Sequence, residues 1–220
     1  GGGYSQLPWH SVRTEAARLI PPATDGVLKI LLSRGSGGAG YRPPPAPALR
    51  RVLSLRSLPP GPGNLAAVAV RWCRHPLSSN PALAGIKHLN RLDSVLARTE
   101  WQDDRISEGL MCDGEGRVIE GTMSNLFVEQ DGCLRTPSLQ QAGVAGVVRA
   151  LVMAEAAAQG RAVQVTTLMP ADLAAAEALY LTNAVRGIWR VARLERQVFD
   201  LARPVHPALA AAARQVHRPA

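Results

Sequence analysis

Gly85-Ile86-Lys87-His88-Leu89-Asn90-Arg91-Leu92-Asp93 contains one of only two lysines in a chain of 220 residues whose 25 Lys+Arg are otherwise arginine; the other lysine is Lys29. A lysine kept where arginine is the habit points to a primary amine put to chemical use. Arginine forms no Schiff base and keeps its proton at working pH. Around this stretch, residues 81–87 read as a loop and 88–101 as a helix with Leu89, Leu92, Val95 and Leu96 on one face. Downstream, 109–112, 118–121 and 125–128 read as strands, with Asp113-Gly114 and Asp131-Gly132 at hairpin turns. Residues 147–158 form a long helix stopped by Gly160. A strand at 163–167, a short helix at 171–177, a strand at 179–182 and a closing helix at 207–216 complete this half.

Upstream, the opening Gly-Gly-Gly-Tyr reads as flexible and residues 12–19 as a short helix. The apolar run at 27–33 predicts a buried strand. A glycine-dense turn, Arg34-Gly-Ser-Gly-Gly-Ala-Gly-Tyr41, follows, and a second strand at about 51–55 pairs with the first. Pro59-Pro60-Gly61-Pro62-Gly63 can form neither helix nor ladder, so it marks a linker. Residues 65–72 then alternate as a strand. The expected organisation is α+β: the remainder of a small domain over 1–60, a linker at 61–64, and a larger mixed-sheet domain over 65–220.

Hydrophobic content of 46% and charged content of 19% are those of a folded protein. No apolar run reaches the length of a membrane span, and the first residues lack the n-region and h-region of a signal peptide. Cys73, Cys112 and Cys133 are odd in number and carry no metal-ligand spacing, which suits reduced thiols in a cytoplasmic protein and predicts no metal site. A net charge of +8 raises the possibility of a basic nucleic-acid binder. Against it, Arg13, Arg56, Arg98, Arg117 and Arg161 are scattered singly, and aromatic residues make up only 4%. A small anionic substrate suits the same charge.

Two further stretches complete the pattern: Val118-Ile-Glu-Gly-Thr-Met-Ser-Asn-Leu-Phe127 and Gln141-Ala-Gly-Val-Ala-Gly-Val-Val-Arg149. With the Lys87 stretch, in this order and spacing, the chain resembles the fold-type IV pyridoxal-phosphate enzymes over nearly its whole length. The resemblance implies pyridoxal 5′-phosphate as cofactor, with Lys87 as the cofactor lysine and Glu120 as the carboxylate facing the ring nitrogen. It makes Gly146, Val147 and Val148 the phosphate-binding turn at a helix start, and adds Asn183 and Ala184 after a strand and Arg91 beyond the lysine. Asn125 also matches, although a structural turn residue explains it equally well. His88 reads as a peripheral histidine.

Within that family the glycine-rich turn and the residues from Asn80 to Leu92 are most similar to the aminodeoxychorismate lyases. This implies conversion of 4-amino-4-deoxychorismate to 4-aminobenzoate and pyruvate for folate, in a homodimer functionally linked to aminodeoxychorismate synthase, with Arg34 and Tyr41 meeting the substrate carboxylates. D-amino-acid or branched-chain aminotransferase activity in the same fold is the alternative, and a basic protein without enzymatic activity is a third reading. Relative to the family pattern the chain begins about fifty residues in. The expectation is that the first strands of the small domain lie upstream of it.

Overall fold

The computed structural model describes residues 9–22 and 25–216, which divide into two units, 1–60 and 61–220. The opening Gly-Gly-Gly-Tyr lies outside the described residues. The first unit holds helix α1 (Trp9–Leu19) and strands β1 (Val27–Ser33) and β2 (Arg50–Arg56). The two strands pair antiparallel from Val27 opposite Arg56 to Ser33 opposite Arg50, joined by the glycine- and proline-rich segment. Arg51 of β2 donates to both carboxylate oxygens of Glu15 on α1, and Val12 is the buried residue of that helix.

The second unit carries β3 (Ala67–Trp72), α2 (Leu92–Arg98), β4 (Ile106–Cys112), β5 (Val118–Gly121), β6 (Asn125–Gln130) and β7 (Cys133–Pro137). It continues with α3 (Val147–Ala158), β8 (Gln164–Thr166), α4 (Pro170–Ala174), β9 (Ala178–Asn183), β10 (Gly187–Leu194), β11 (Gln197–Val198) and α5 (Pro207–Gln215). The strands form one mixed sheet in the order β5-β4-β3-β10-β9-β6-β7-β8, with β11 hydrogen-bonded to β10. The β6–β7 hairpin turns through Asp131 and Gly132, both at positive φ (51° and 70°), the geometry of a two-residue type I′ turn.

Topology dictates curvature. Three residues, 122–124, join β5 to β6, which stand five places apart in the strand order. The step from Gly121 to Asn125 spans at most about 14 Å, whereas five strand spacings in a flat sheet come to about 24 Å. The sheet therefore curls until its two ends approach. Val118 of β5 forms a bridge to Leu168, just beyond β8 at the opposite end of the order, with Val118 N–H donating to the Leu168 carbonyl at 2.8 Å.

Alternation along the strands sorts two cores. Leu126, Val128, Leu179, Leu181, Trp189 and Val191 pack on one face with Val68, Val70 and Leu110. Phe127, Tyr180 and Ile188 point to the other face, where Val148 and Val152 of α3 and Leu209 and Ala212 of α5 cover them. Among the described residues no helix is long and apolar enough to cross a membrane, and no group of His, Cys, Asp or Glu could hold a metal ion.

The helix expected over 88–101 is a correction: α2 spans only Leu92–Arg98. Arg91 folds back, its Nε donating to the His88 carbonyl at 3.1 Å and its Nη2 to the Ile86 carbonyl at 2.8 Å, so these carbonyls are held outside the helix. The apolar face named for that helix is exposed, at 65% for Leu89, 61% for Leu92, 56% for Val95 and 43% for Leu96, while Ala97 faces the core. Strands β7, β10 and β11 were not expected. In β10 a register shift between Val191 and Arg193 breaks the alternation that marks a strand.

Candidate active site

Four segments converge on a cavity of about 310 Å³: the Lys87 loop, the β5–β6 turn, the entry to α3 and the end of β9. Lys87, Arg91, Glu120, Asn125, Gly146, Val147, Asn183 and Ala184 all line it, with Thr122, Ser124 and Thr182. Backbone bonds fix the lysine loop against the α3 entry: Gly85 N–H donates to the Gly143 carbonyl, and Ala145 N–H donates to the Gly85 carbonyl, both at 2.9 Å. Gly143 sits at φ 89°, and a Cβ there would lie 2.7 Å from Leu139 and 2.9 Å from Ile119. A side chain at 143 would part this clasp.

Glu120 is buried on β5. Its Oε2 accepts from the Val144 N–H at 2.8 Å and from Asn125 Nδ2 at 3.1 Å, and the same Nδ2 donates to the Val144 carbonyl at 2.7 Å. Burial pushes the Glu120 carboxyl up to about 7, against the Val144 hydrogen bond and the cations Arg91 and Lys87, while Glu108 adds to the rise. A buried acid balanced in this way, facing an amine across a cavity, is a functional signature.

On another wall, α3 begins at Gly146 with no side-chain cap hydrogen bond. The first-turn N–H groups of a helix and its dipole make an anion site. Gly146 is required by close approach: a Cβ would lie 2.1 Å from Asn125 Oδ1. Val147 is exposed toward the cavity, whereas the Val148 side chain is buried in the core, leaving only its backbone to face a ligand. Thr182, in register with Asn125 across β9 and β6, carries a buried hydroxyl with no hydrogen-bond partner. Asn183 Oδ1 accepts from the N–H groups of Val185 and Arg186, shaping the turn after β9.

Arg34 and Tyr41 are exposed residues of the first unit, and the cavity belongs to the second. His88 lines a neighbouring cavity of about 280 Å³ with Ser78, Asn80 and Asp93, and Arg91 and Ser94 line both cavities. Thr182 escaped sequence reasoning although its neighbours Asn183 and Ala184 did not. Glu108 also escaped it, yet this fully buried carboxylate accepts from Thr122, Met123 and Ser124 in the β5–β6 turn.

The arrangement therefore offers an amine, a buried acid and a set of unfilled donors around one chamber. A planar group with a carbonyl, a basic ring nitrogen and a phosphate has a counterpart for each part, and pyridoxal phosphate is such a group. The orphaned Thr182 hydroxyl and the uncapped start of α3 are the structural grounds for that fit.

Comparison with known proteins gives the same direction. The amino-transferase class IV family matches residues 5–194. An aminodeoxychorismate lyase of Vibrio harveyi is 34% identical over 188 residues, covering 83% of this chain and 69% of that protein. The crystal structure of 4-amino-4-deoxychorismate lyase from Pseudomonas aeruginosa superposes with a TM-score of 0.83 at 38% identity, covering 96% of this chain and 77% of that one. A branched-chain-amino-acid aminotransferase of Salmonella typhimurium is 25% identical over 174 residues, covering 75% of this chain and 55% of that protein.

Proposed function

Because the chain belongs to the amino-transferase class IV family, whose cofactor is pyridoxal 5′-phosphate, we propose that it is a lyase converting 4-amino-4-deoxychorismate to 4-aminobenzoate and pyruvate, a step of folate biosynthesis. The meeting of Lys87, buried Glu120 and the start of α3 around one cavity supports the cofactor chemistry, and the similarity to aminodeoxychorismate lyases at 34% and 38% identity supports the choice of a lyase. Lys87 would hold the cofactor carbonyl and Glu120 the ring nitrogen. The backbone at Gly146, Val147 and Val148, with the Thr182 hydroxyl and the Asn183-Ala184 turn, would hold the phosphate.

When bound, the cofactor supplies a carbonyl that captures the substrate amine and a ring that accepts electrons. The residues do the rest. Lys87 Nζ would take the proton from C4 of the substrate ring. Glu120 would face the ring nitrogen and share a proton with it, its carboxylate accepting the hydrogen bond. Breaking of the C3–O bond then leaves an aromatic ring and enolpyruvate. The proton held on Lys87 Nζ passes to the enolpyruvate methylene and gives pyruvate. Aromatisation drives the elimination, so the protein's work is to position and polarise. Arg91, which binds the Ile86 and His88 carbonyls on either side of Lys87, sets where that amine stands. Arg34 and Tyr41 are the proposed partners of the substrate's two carboxylates.

The same reading carries a cytoplasmic location, a functional link to aminodeoxychorismate synthase, and a homodimer whose contact includes the exposed Leu89, Leu92, Val95 and Leu96. The experiment supplies pyridoxal phosphate and enzymatically generated aminodeoxychorismate without any keto acid. Equal amounts of 4-aminobenzoate and pyruvate are expected, and Lys87→Ala abolishes both. Amino transfer that requires a keto-acid acceptor, with no pyruvate released, would establish the aminotransferase alternative instead.

A further inference from the structure

The turn that closes the curled sheet rests on a carboxylate outside the cavity lining. Glu108, on β4, has no exposed surface. Its Oε1 accepts from Gly109 N–H at 2.9 Å, from Thr122 N–H at 3.1 Å and from the Thr122 hydroxyl. Its Oε2 accepts from Met123 N–H at 3.1 Å and from Ser124 Oγ at 2.8 Å. Four of these five donors belong to residues 122–124. Three of the five partners are backbone N–H groups, which only donate, and they reach both oxygens. A carboxyl group with two acceptor oxygens meets them where an amide would turn its NH2 toward Met123 N–H. Burial pushes the Glu108 carboxyl up while these hydrogen bonds oppose the rise. The fit is close: a Cβ on Gly121 would lie 2.3 Å from Ser124 Oγ and 2.9 Å from Glu108.

What this turn connects gives the contact its meaning. Glu120 and Asn125 flank it, and they are hydrogen-bonded to each other at the cavity wall. Asn125 in turn approaches Gly146 at the start of α3. We infer that Glu108 is a positioning residue: by gripping residues 122–124 it sets the spacing of the Glu120–Asn125 pair, and through it the acid and the α3 wall of the cavity. Glu108 touches none of the cavity's contents. The inference rests on the cofactor reading for what the pair does, and on geometry alone for how the pair is held.

The test uses the full chain and two readouts: amide hydrogen exchange without cofactor, and pyridoxal phosphate affinity by absorbance titration. In Glu108→Gln, exchange at the Thr122 and Met123 amides should accelerate about tenfold or more, while amides of β9 and β10 stay within about twofold. Cofactor affinity should weaken about tenfold or more. Ser124→Ala, which removes one buried donor, should shift both in the same direction by about two- to fivefold. Unchanged turn amides, or acceleration spread evenly over the sheet, would overturn the inference, as would unchanged affinity in Glu108→Gln. If Glu108→Gln does not fold, amide exchange at Thr122 and Met123 in Ser124→Ala decides, because Ser124 itself lines the cavity and its cofactor affinity does not separate the two roles. If the wild-type chain takes up no pyridoxal phosphate, the cofactor reading fails while turn exchange still decides the role of Glu108.

Discussion

Glu120 favours its proton for a physical reason that also sets a stability trend. Burial raises its carboxyl to about 7 from an ordinary value near 4.5. Its contribution to stability is therefore complete below the unfolded value and is lost as pH rises through about 7. The cofactor-free chain should lose stability between pH 5 and pH 8, with this group contributing at most on the order of 3 kcal/mol. Thermal melts across that range check it, and Glu120→Gln should flatten the part due to this residue. That Lys87 and Glu120 would share one cavity was legible in the sequence, because rarity singled out the first and ordered motifs carried the second. Glu108 was not, since a lone glutamate in Ser-Glu-Gly-Leu resembles any solvated carboxylate. Its importance lies in five donors, four of them more than ten residues away.

The long helix was legible to the residue, because Val147 begins an apolar periodicity and Gly160 ends it at φ 67°. Arg161 N–H returns to the Ala156 carbonyl and Gly160 N–H to the Ala157 carbonyl, closing the helix as a Schellman motif. The lysine segment misled, since helical spacing of Leu89, Leu92 and Leu96 says nothing of a guanidinium folding back on two carbonyls. β10 was missed because both its faces are buried and a bulge interrupts it. At the start of α3, Gly146→Ala should cost about 1–3 kcal/mol, because the new methyl meets Asn125 Oδ1 at 2.1 Å and something must shift. Chemical denaturation measures that loss. Cofactor affinity should fall with it, since the shift moves either the anion-binding turn or the Asn125–Glu120 bond.

Over the whole molecule, the α+β class and the order of most elements could be read from hairpin turns and helix stops. Strand order could not, because it depends on pairings such as β3 with β10 and β6 with β9 that no local pattern records. Nor could the exposure of the α2 stripe, which periodicity assigned to a face without saying what covers it. The expected occupant is a second copy of the chain. Sedimentation should give the mass of two chains, and the double variant Leu92→Glu, Val95→Glu should give the mass of one with an unchanged circular dichroism spectrum. The short passage from Gly121 to Asn125 has a different kind of consequence. It works as a drawstring on a purse whose mouth is the site, so the number of its residues matters as much as their identity. One inserted residue would add about 3.5 Å of slack, and the acid and the amide would drift apart without a single chemical group having been altered.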